Sequence, residues 1–212
     1  MIDLKILFDA IVEGKLEPAV EVTKEAIKEK IDPQILISDY MIKAMEEIGQ
    51  RFEDGKAYVP ELLMSARAMK GSLELIKPLL TGKKSATIGK VVIGTVYGDL
   101  HEIGKNLVAS MLEGCGFEVV NLGTNISADQ FVDAVKKEHA DILCLSALLT
   151  TTMVYMKVVI DKLKEENMRD KVKVMVGGAP LNEAFARKIG ADCYCDNAND
   201  SVARAREMVA GA

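Results

Sequence analysis

The feature that most constrains this chain is a change of hydrophobic period about two-fifths of the way along it. Up to residue 80, apolar residues recur at the three-and-four spacing of helices; from residue 90, apolar β-branched runs alternate with helical stretches. Such a chain has to build a helical packing first and a layered α/β structure second. Leu4, Leu7, Phe8 and Ile11 mark a first helix that Gly14 ends. Pro18, read as a first helical position, opens a second with Ala19, Val20, Thr23, Ala26 and Ile27. Asp32-Pro33 reads as an N-cap followed by a first-turn proline, and Ile37, Met41, Ala44, Met45, Ile48 and Phe52 carry the helix on to Asp54-Gly55. Tyr58-Val59-Pro60 starts a fourth, with Leu62, Leu63, Ala66, Met69, Leu73 and Ile76 inward. Four amphipathic helices with short connections predict an all-α four-helix bundle over residues 1–85.

Thr81-Gly82-Lys83-Lys84-Ser85 is polar and without period, and is read as a linker. Beyond it, strands are expected over 90–96, 117–122, 141–148, 172–176 and 191–195. Ser127-Ala128-Asp129-Gln130 has the form of a capping box, a helix carries Val154, Val158, Ile160 and Leu163, and another closes the chain over 201–209. The third strand is apolar almost throughout, as in a sheet covered on both faces. Residues 86–212 are therefore expected to form an α/β, flavodoxin-like (Rossmann-like) domain with a five-stranded parallel sheet.

Composition narrows the function. Of 212 residues 49% are hydrophobic and only five are proline, which fits a well-packed chain. A net charge of −5 with no basic stripe argues against a nucleic-acid partner. No apolar run is long enough for a membrane helix, and Met1-Ile2-Asp3-Leu4-Lys5 lacks the form of a signal peptide, so a cytoplasmic protein without a membrane partner is expected. Cys193-Tyr194-Cys195 invites a zinc reading, but no second pair or nearby His completes a set of four ligands. On a strand the two thiols would share a face as small buried hydrophobes.

Three strand ends carry unusual residues. Gly98-Asp99-Leu100-His101-Glu102-Ile103-Gly104 joins the first strand to a helix, so one of only two histidines lies where open parallel sheets bind ligands. An imidazole there can ligate a metal, and Asp99 can hold its other nitrogen. Alone, Asp-x-His reads first as two ordinary loop residues, and Gly94, Gly98 and Gly104 do not match a nucleotide loop. After the third strand comes Ser146-Ala147-Leu148-Leu149-Thr150-Thr151-Thr152, and after the fourth Gly177-Gly178, where a bulky group could approach the backbone. The second histidine, His139, sits near a helix end at a position read as solvated.

Together these residues resemble the cobalamin-binding domain family, whose signature is Asp-x-His-x-x-Gly, Ser-x-Leu and Gly-Gly. Here it reads Asp99-Leu100-His101-Glu102-Ile103-Gly104, then Ser146-Ala147-Leu148 after 41 intervening residues (105–145), then Gly177-Gly178 after 28 more (149–176). Gly55 to Arg67, the turn into the fourth helix and its first part, resembles the helical cap that accompanies this domain in methionine synthase and in corrinoid methyl carriers. The resemblance implies that His101 replaces the cofactor's own base as lower axial ligand to cobalt. The displaced tail would enter a slot where Ser146 and Thr150 hydrogen-bond it, Gly177 and Gly178 leave it room and Gly104 lets the chain pass close to it; Leu148, in the same motif, would be a further cofactor-binding position. Asp99 and Thr152 would act through His101, and Tyr58 and Leu62 of the cap would shield the upper face.

The implied function is a corrinoid methyl-carrier protein of a methyltransferase system rather than a complete enzyme. Its cofactor would be cobalamin or a related corrinoid, with methylcobalamin as the loaded state. Its implied partners are a substrate-specific methyltransferase, an acceptor methyltransferase using tetrahydrofolate or coenzyme M, and a reductive activase. The family's methyl donors are methanol, methylamines, methoxylated aromatics and betaines. The alternatives are the cobalamin subunit of an adenosylcobalamin-dependent mutase and a cobalamin-sensing regulator, which would also need a DNA-binding unit.

Overall fold

The computed structural model describes residues 2–80 and 87–210; the linker read at Thr81 to Ser85 lies outside them. The chain divides into two compact units, Met1–Thr87 with Glu113–Gly116, and Ile88–Leu112 with Phe117–Ala212. Among the described residues, no helix is long and apolar enough to cross a membrane.

The first unit is helical. Helix α1 (Lys5–Val12) buries Leu7, Ala10, Ile11 and Val12, and α2 (Leu16–Lys28) buries Ala19, Val22, Thr23 and Ala26. The turn between them needs Gly14: its φ is +67°, and a Cβ there would lie 2.5 Å from the Met64 Cβ. Helix α2 begins at Leu16, so Pro18 is its third residue rather than its first. Proline is tolerated there because the first-turn N–H groups have no intrahelical acceptor. Asp32 caps α3 (Pro33–Ile35) by accepting from the Gln34 N–H at 2.9 Å. The chain then winds through a π-helical stretch, Leu36–Met41, directly into α4 (Ile42–Glu53). That widened winding moves the inward face: Leu36 and Met41, five residues apart, are buried, while Ile37 is only half-buried. Helix α5 (Val59–Ile76) buries Leu62, Ser65, Ala66, Ala68, Met69, Ser72, Leu73 and Ile76, whereas Leu63, expected inward, is exposed.

The second unit is a five-stranded, all-parallel sheet in the order β2-β1-β3-β4-β5. Its strands are β1 (Lys90–Thr95), β2 (Glu118–Asn121), β3 (Ile142–Ser146), β4 (Lys173–Gly177) and β5 (Cys193–Cys195). The connecting helices are α6 (Ile103–Gly114), α7 (Ala128–Glu138), α8 (Thr150–Met153), α9 (Tyr155–Glu165), α10 (Glu183–Ile189) and α11 (Ala198–Ala210). Ser127 makes the full capping box with Gln130. His139, exposed, ends α7 in the left-handed conformation at φ +51°.

Register sorts the strand residues onto two faces. Val92, Leu143, Leu145, Val174 and Val176 face a core with Phe131, Met156, Val159, Ile160 and Leu163. Gly94 belongs to this packing, since a Cβ there would fall 2.7 Å from the Phe131 ring. On α9 the inward residues are Met156, Val159, Ile160 and Leu163, while Val154 and Val158 are exposed. At the carboxyl end of the other face, Thr95, Ser146, Gly177 and Cys195 stand in one row across four strands. Strand order reverses between β1 and β3, so the crevice outside their carboxyl ends is the expected ligand site.

Candidate functional site

The site is built on Asp99. After β1 the backbone turns at Gly98, φ +81°, and the β2–α7 loop holds that turn. Asn125 Oδ1 accepts from the Gly98 N–H at 2.8 Å, and the Asn125 N–H donates to the Asp99 carbonyl at 3.0 Å. Asp99 is fully buried. Its Oδ1 accepts from the His101 N–H at 3.0 Å and pairs with His101 Nδ1 at 2.8 Å. Its Oδ2 accepts from the Leu148 N–H at 2.8 Å and the Thr152 hydroxyl at 2.7 Å. One carboxylate thus ties the loop after β1 to the loop after β3. Burial alone would raise its pKa, but the Thr152 hydroxyl and the N–H groups of His101 and Leu148 hold the carboxyl well below the usual carboxylate range.

This fixes the imidazole chemically as well as spatially. A carboxylate can only accept, so Nδ1 carries the hydrogen and Nε2 is left with a lone pair. The His101 side chain is 51% exposed. The buried Thr95 hydroxyl donates to the His101 carbonyl at 2.8 Å, which anchors the backbone beneath the ring. The result is a rigid, exposed nitrogen ligand with a negative partner behind it. Large apolar side chains stand exposed on the surrounding loops: Tyr97, Leu100, Ile103 at 89%, Leu148 and Leu149. Tyr97 also packs its ring against Tyr155. Exposed apolar surface of this extent marks a ligand or partner face.

Beside the imidazole lies a strip of small residues. A Cβ on Gly104 would meet nothing within 4 Å, and one on Gly177 only the Cys195 carbonyl oxygen at 3.4 Å. Gly178 differs: its φ is +135°, and a Cβ would fall 1.9 Å from the Ala147 carbonyl oxygen, so the fold itself requires glycine there. Among the described residues, the Ser146 hydroxyl beside Gly177 has no hydrogen-bond partner. Thr150 is exposed at the start of α8. The structure thus gathers Asp99, His101, Gly104, Ser146, Leu148, Thr150, Thr152, Gly177 and Gly178 on one rim. In the helical unit Tyr58 is exposed, but Leu62 is fully buried, so Leu62 is packing rather than an open surface contact.

Three contributors do not stand out in the sequence. Thr95 interrupts an apolar strand, and Asn125, at φ +58°, precedes the capping box; both become visible only through register. The third is Lys105, buried in the first turn of α6. Its Nζ donates to Asn106 Oδ1 at 2.6 Å and Asn121 Oδ1 at 2.7 Å, and burial pushes its pKa down. A lysine directly after Gly104, followed by asparagine, is the only trace of it in the sequence.

Comparison with known proteins agrees with this geometry. Residues 89–205 match the family described as the B12 binding domain, and residues 4–77 match a second family with the same description. The chain is 44% identical over 208 residues to the dimethylamine corrinoid protein of Methanosarcina barkeri, covering 98% of this chain and 97% of that one. A cobalamin-binding protein from Desulfitobacterium hafniense DCB-2 superposes with a TM-score of 0.84 at 31% identity, covering 98% and 99% of the two chains. The methanol:cobalamin methyltransferase complex MtaBC from Methanosarcina barkeri does so at 0.82 and 33% identity, covering 99% of this chain and 80% of that one. The exposed imidazole, the apolar rim and the open strip at Gly104 and Gly177 leave room for a large planar cofactor with a long side group and offer it a nitrogen donor. The chain belongs to the B12 binding domain family, and its cofactor is cobalamin or a related corrinoid.

Proposed function

We propose that this protein carries a methyl group on a bound corrinoid between a substrate-specific methyltransferase and an acceptor methyltransferase that uses tetrahydrofolate or coenzyme M. The observation that carries this reading is the Asp99–His101 pair: a buried carboxylate presenting an imidazole nitrogen on the carboxyl rim. The near full-length likeness to a dimethylamine corrinoid protein, helical unit included, supports a carrier and favours a methylated amine as donor. A reductive activase completes the proposed set of partners.

The bound corrinoid would supply the cobalt that accepts and releases the methyl group. The chain's own residues would bind and orient it. His101 Nε2 would hold the cobalt. Asp99, braced by Thr152 and the Leu148 N–H, sets the ring's tautomer and its basicity. Ser146 and Thr150 offer hydroxyls to the tail, while Gly104 and Gly177 keep its path clear. Tyr58, exposed at the start of α5, is the residue of the helical unit proposed to touch the cofactor.

The test is methyl transfer with isotopically labelled donors. The purified protein, loaded with cobalamin, is mixed with a dimethylamine- or methanol-specific methyltransferase and each labelled donor. Label should reach the protein-bound corrinoid from dimethylamine in the presence of its methyltransferase, and leave it when the acceptor enzyme is added. Absence of label from every methylated donor, with an adenosyl corrinoid in the protein as isolated, would overturn the carrier reading.

A further inference from the structure

The two thiols of β5 are more than packing. Cys193 and Cys195 lie on one face of a three-residue edge strand, and their sulfurs stand 3.7 Å apart in a thiol–thiol contact. Register sets Cys193 beside Met175 and Cys144, and sets Cys195 in the row of Gly177, Ser146 and Thr95. Cys195 is therefore the outermost member of the row that lines the strip beside His101, and its carbonyl is the one atom that crowds Gly177. Cys193 is partly exposed, so small solutes reach the pair, whereas Cys195 and Cys144 are buried. The two thiols are also unequal. The two sulfurs share a contact in which either can donate; it pulls the Cys195 thiol down against its burial and, together with burial, pushes the Cys193 thiol up. Cys144, deeper in the sheet, is pushed up by burial and stays a thiol.

We propose that Cys193 and Cys195 are a redox-active dithiol, oxidised by a hydroperoxide to an intramolecular disulfide that narrows the strip beside Gly177 and weakens cofactor binding. In the first step one sulfur of the pair, as its thiolate, attacks the hydroperoxide that reaches it past the partly exposed Cys193. The O–O bond breaks, that cysteine becomes a sulfenic acid, and the departing oxygen takes a proton to leave as water or an alcohol. The other cysteine then attacks the sulfenic sulfur, its thiol proton leaves with the sulfenic hydroxyl as water, and the S–S bond forms. Two thiols are oxidised and one hydroperoxide is reduced. Residues two apart on a strand have Cα atoms about 6.6 Å apart, at the upper end of the range a disulfide spans. Closure therefore has to bend the backbone at Cys195, and a short edge strand yields most easily. A bond closed under such constraint is readily reduced again, as a reversible switch requires.

The oxidation step stands apart from the corrinoid reading; only its effect on binding rests on that reading. The experiment treats the full-length protein with one equivalent of hydrogen peroxide, counts thiols, and measures intact mass before and after a thiol reductant. Wild type should lose two thiols and two hydrogens in mass, reversibly, with the linkage mapping to the peptide holding Cys193 and Cys195. Cys193→Ser and Cys195→Ser should form no such linkage, while Cys144→Ser should form it as wild type does. The oxidised protein should bind cobalamin at least several-fold more weakly than the reduced protein, and the Cys195→Ser variant should bind equally with and without peroxide. Two intact thiols at these positions after treatment would overturn the redox site. A disulfide that forms with unchanged cobalamin affinity would overturn the coupling. If even the reduced protein fails to bind cobalamin, the corrinoid reading fails while the thiol chemistry is judged on its own readout.

Discussion

At the scale of single residues the site turns on how many donors Asp99 satisfies. Four hydrogen bonds converge on its two oxygens from His101, Leu148 and Thr152. Asp99→Asn is therefore not a neutral probe of charge. An amide has one acceptor oxygen, and its NH2 would face donors, orphaning at least one buried group at a cost of about 1–3 kcal/mol. Asp99→Asn is expected to lower stability by that amount in denaturant titration. Thr152→Val is the cleaner variant, removing one donor at nearly constant shape, and should cost about 1 kcal/mol while leaving the His101–Asp99 pair in place. Glycines give a sharper separation of fold from ligand. Nothing crowds a Cβ at Gly104, and alanine is the better helix former by about 1 kcal/mol, so Gly104→Ala should keep or raise the melting temperature. If the cofactor tail passes Gly104, the same variant should bind cobalamin at least tenfold more weakly, measured by equilibrium titration of the visible spectrum. Unchanged affinity would place the tail elsewhere. The Asp99–His101 contact was legible in the sequence because both partners lie in one loop. Thr95 and Asn125 were not, because their roles arise only when β1, β2 and β3 come into register.

At the scale of elements, alternation of strand and helix was readable because each strand is a short apolar run bounded by polar or glycine residues. The helical unit was less so. Amphipathic spacing located the helices, but not the π-helical stretch at Leu36–Met41, which arises from a change in backbone hydrogen bonding and leaves residue types ordinary. For the same reason the pattern placed Ile37 inward, where the structure buries Leu36. On α5 the pattern could not choose between Leu62 and Leu63, neighbours 100° apart on the helix; packing chose Leu62. Leu62→Ala should then cost about 2–5 kcal/mol in unfolding of the helical unit, while Tyr58→Ala should stay within about 0.5 kcal/mol of wild type. A large loss from Tyr58→Ala with none from Leu62→Ala would contradict this division of roles.

At the scale of the molecule, two units each carry a core, and the residues gathered around His101 all belong to the second. Differential scanning calorimetry with and without cobalamin is expected to show the ligand stabilising that second unit. At a hundred times the dissociation constant the gain is about 2.7 kcal/mol, and mutations confined to the first core, such as Leu62→Ala, should leave the shift unchanged. The helical unit is also where function is least legible from one chain, since a surface that serves a partner enzyme looks like any exposed helix face. The most direct test of the whole reading is at the metal. Electron paramagnetic resonance of the cobalt(II) form of the cobalamin-loaded protein is recorded after labelling its histidines with nitrogen-15. With His101 as the axial ligand, the nitrogen hyperfine pattern should change from that of nitrogen-14 to that of nitrogen-15, and the change should vanish in His101→Ala. A pattern that stays nitrogen-14 in the labelled wild-type protein would show the cofactor's own base on cobalt and contradict the role given to His101.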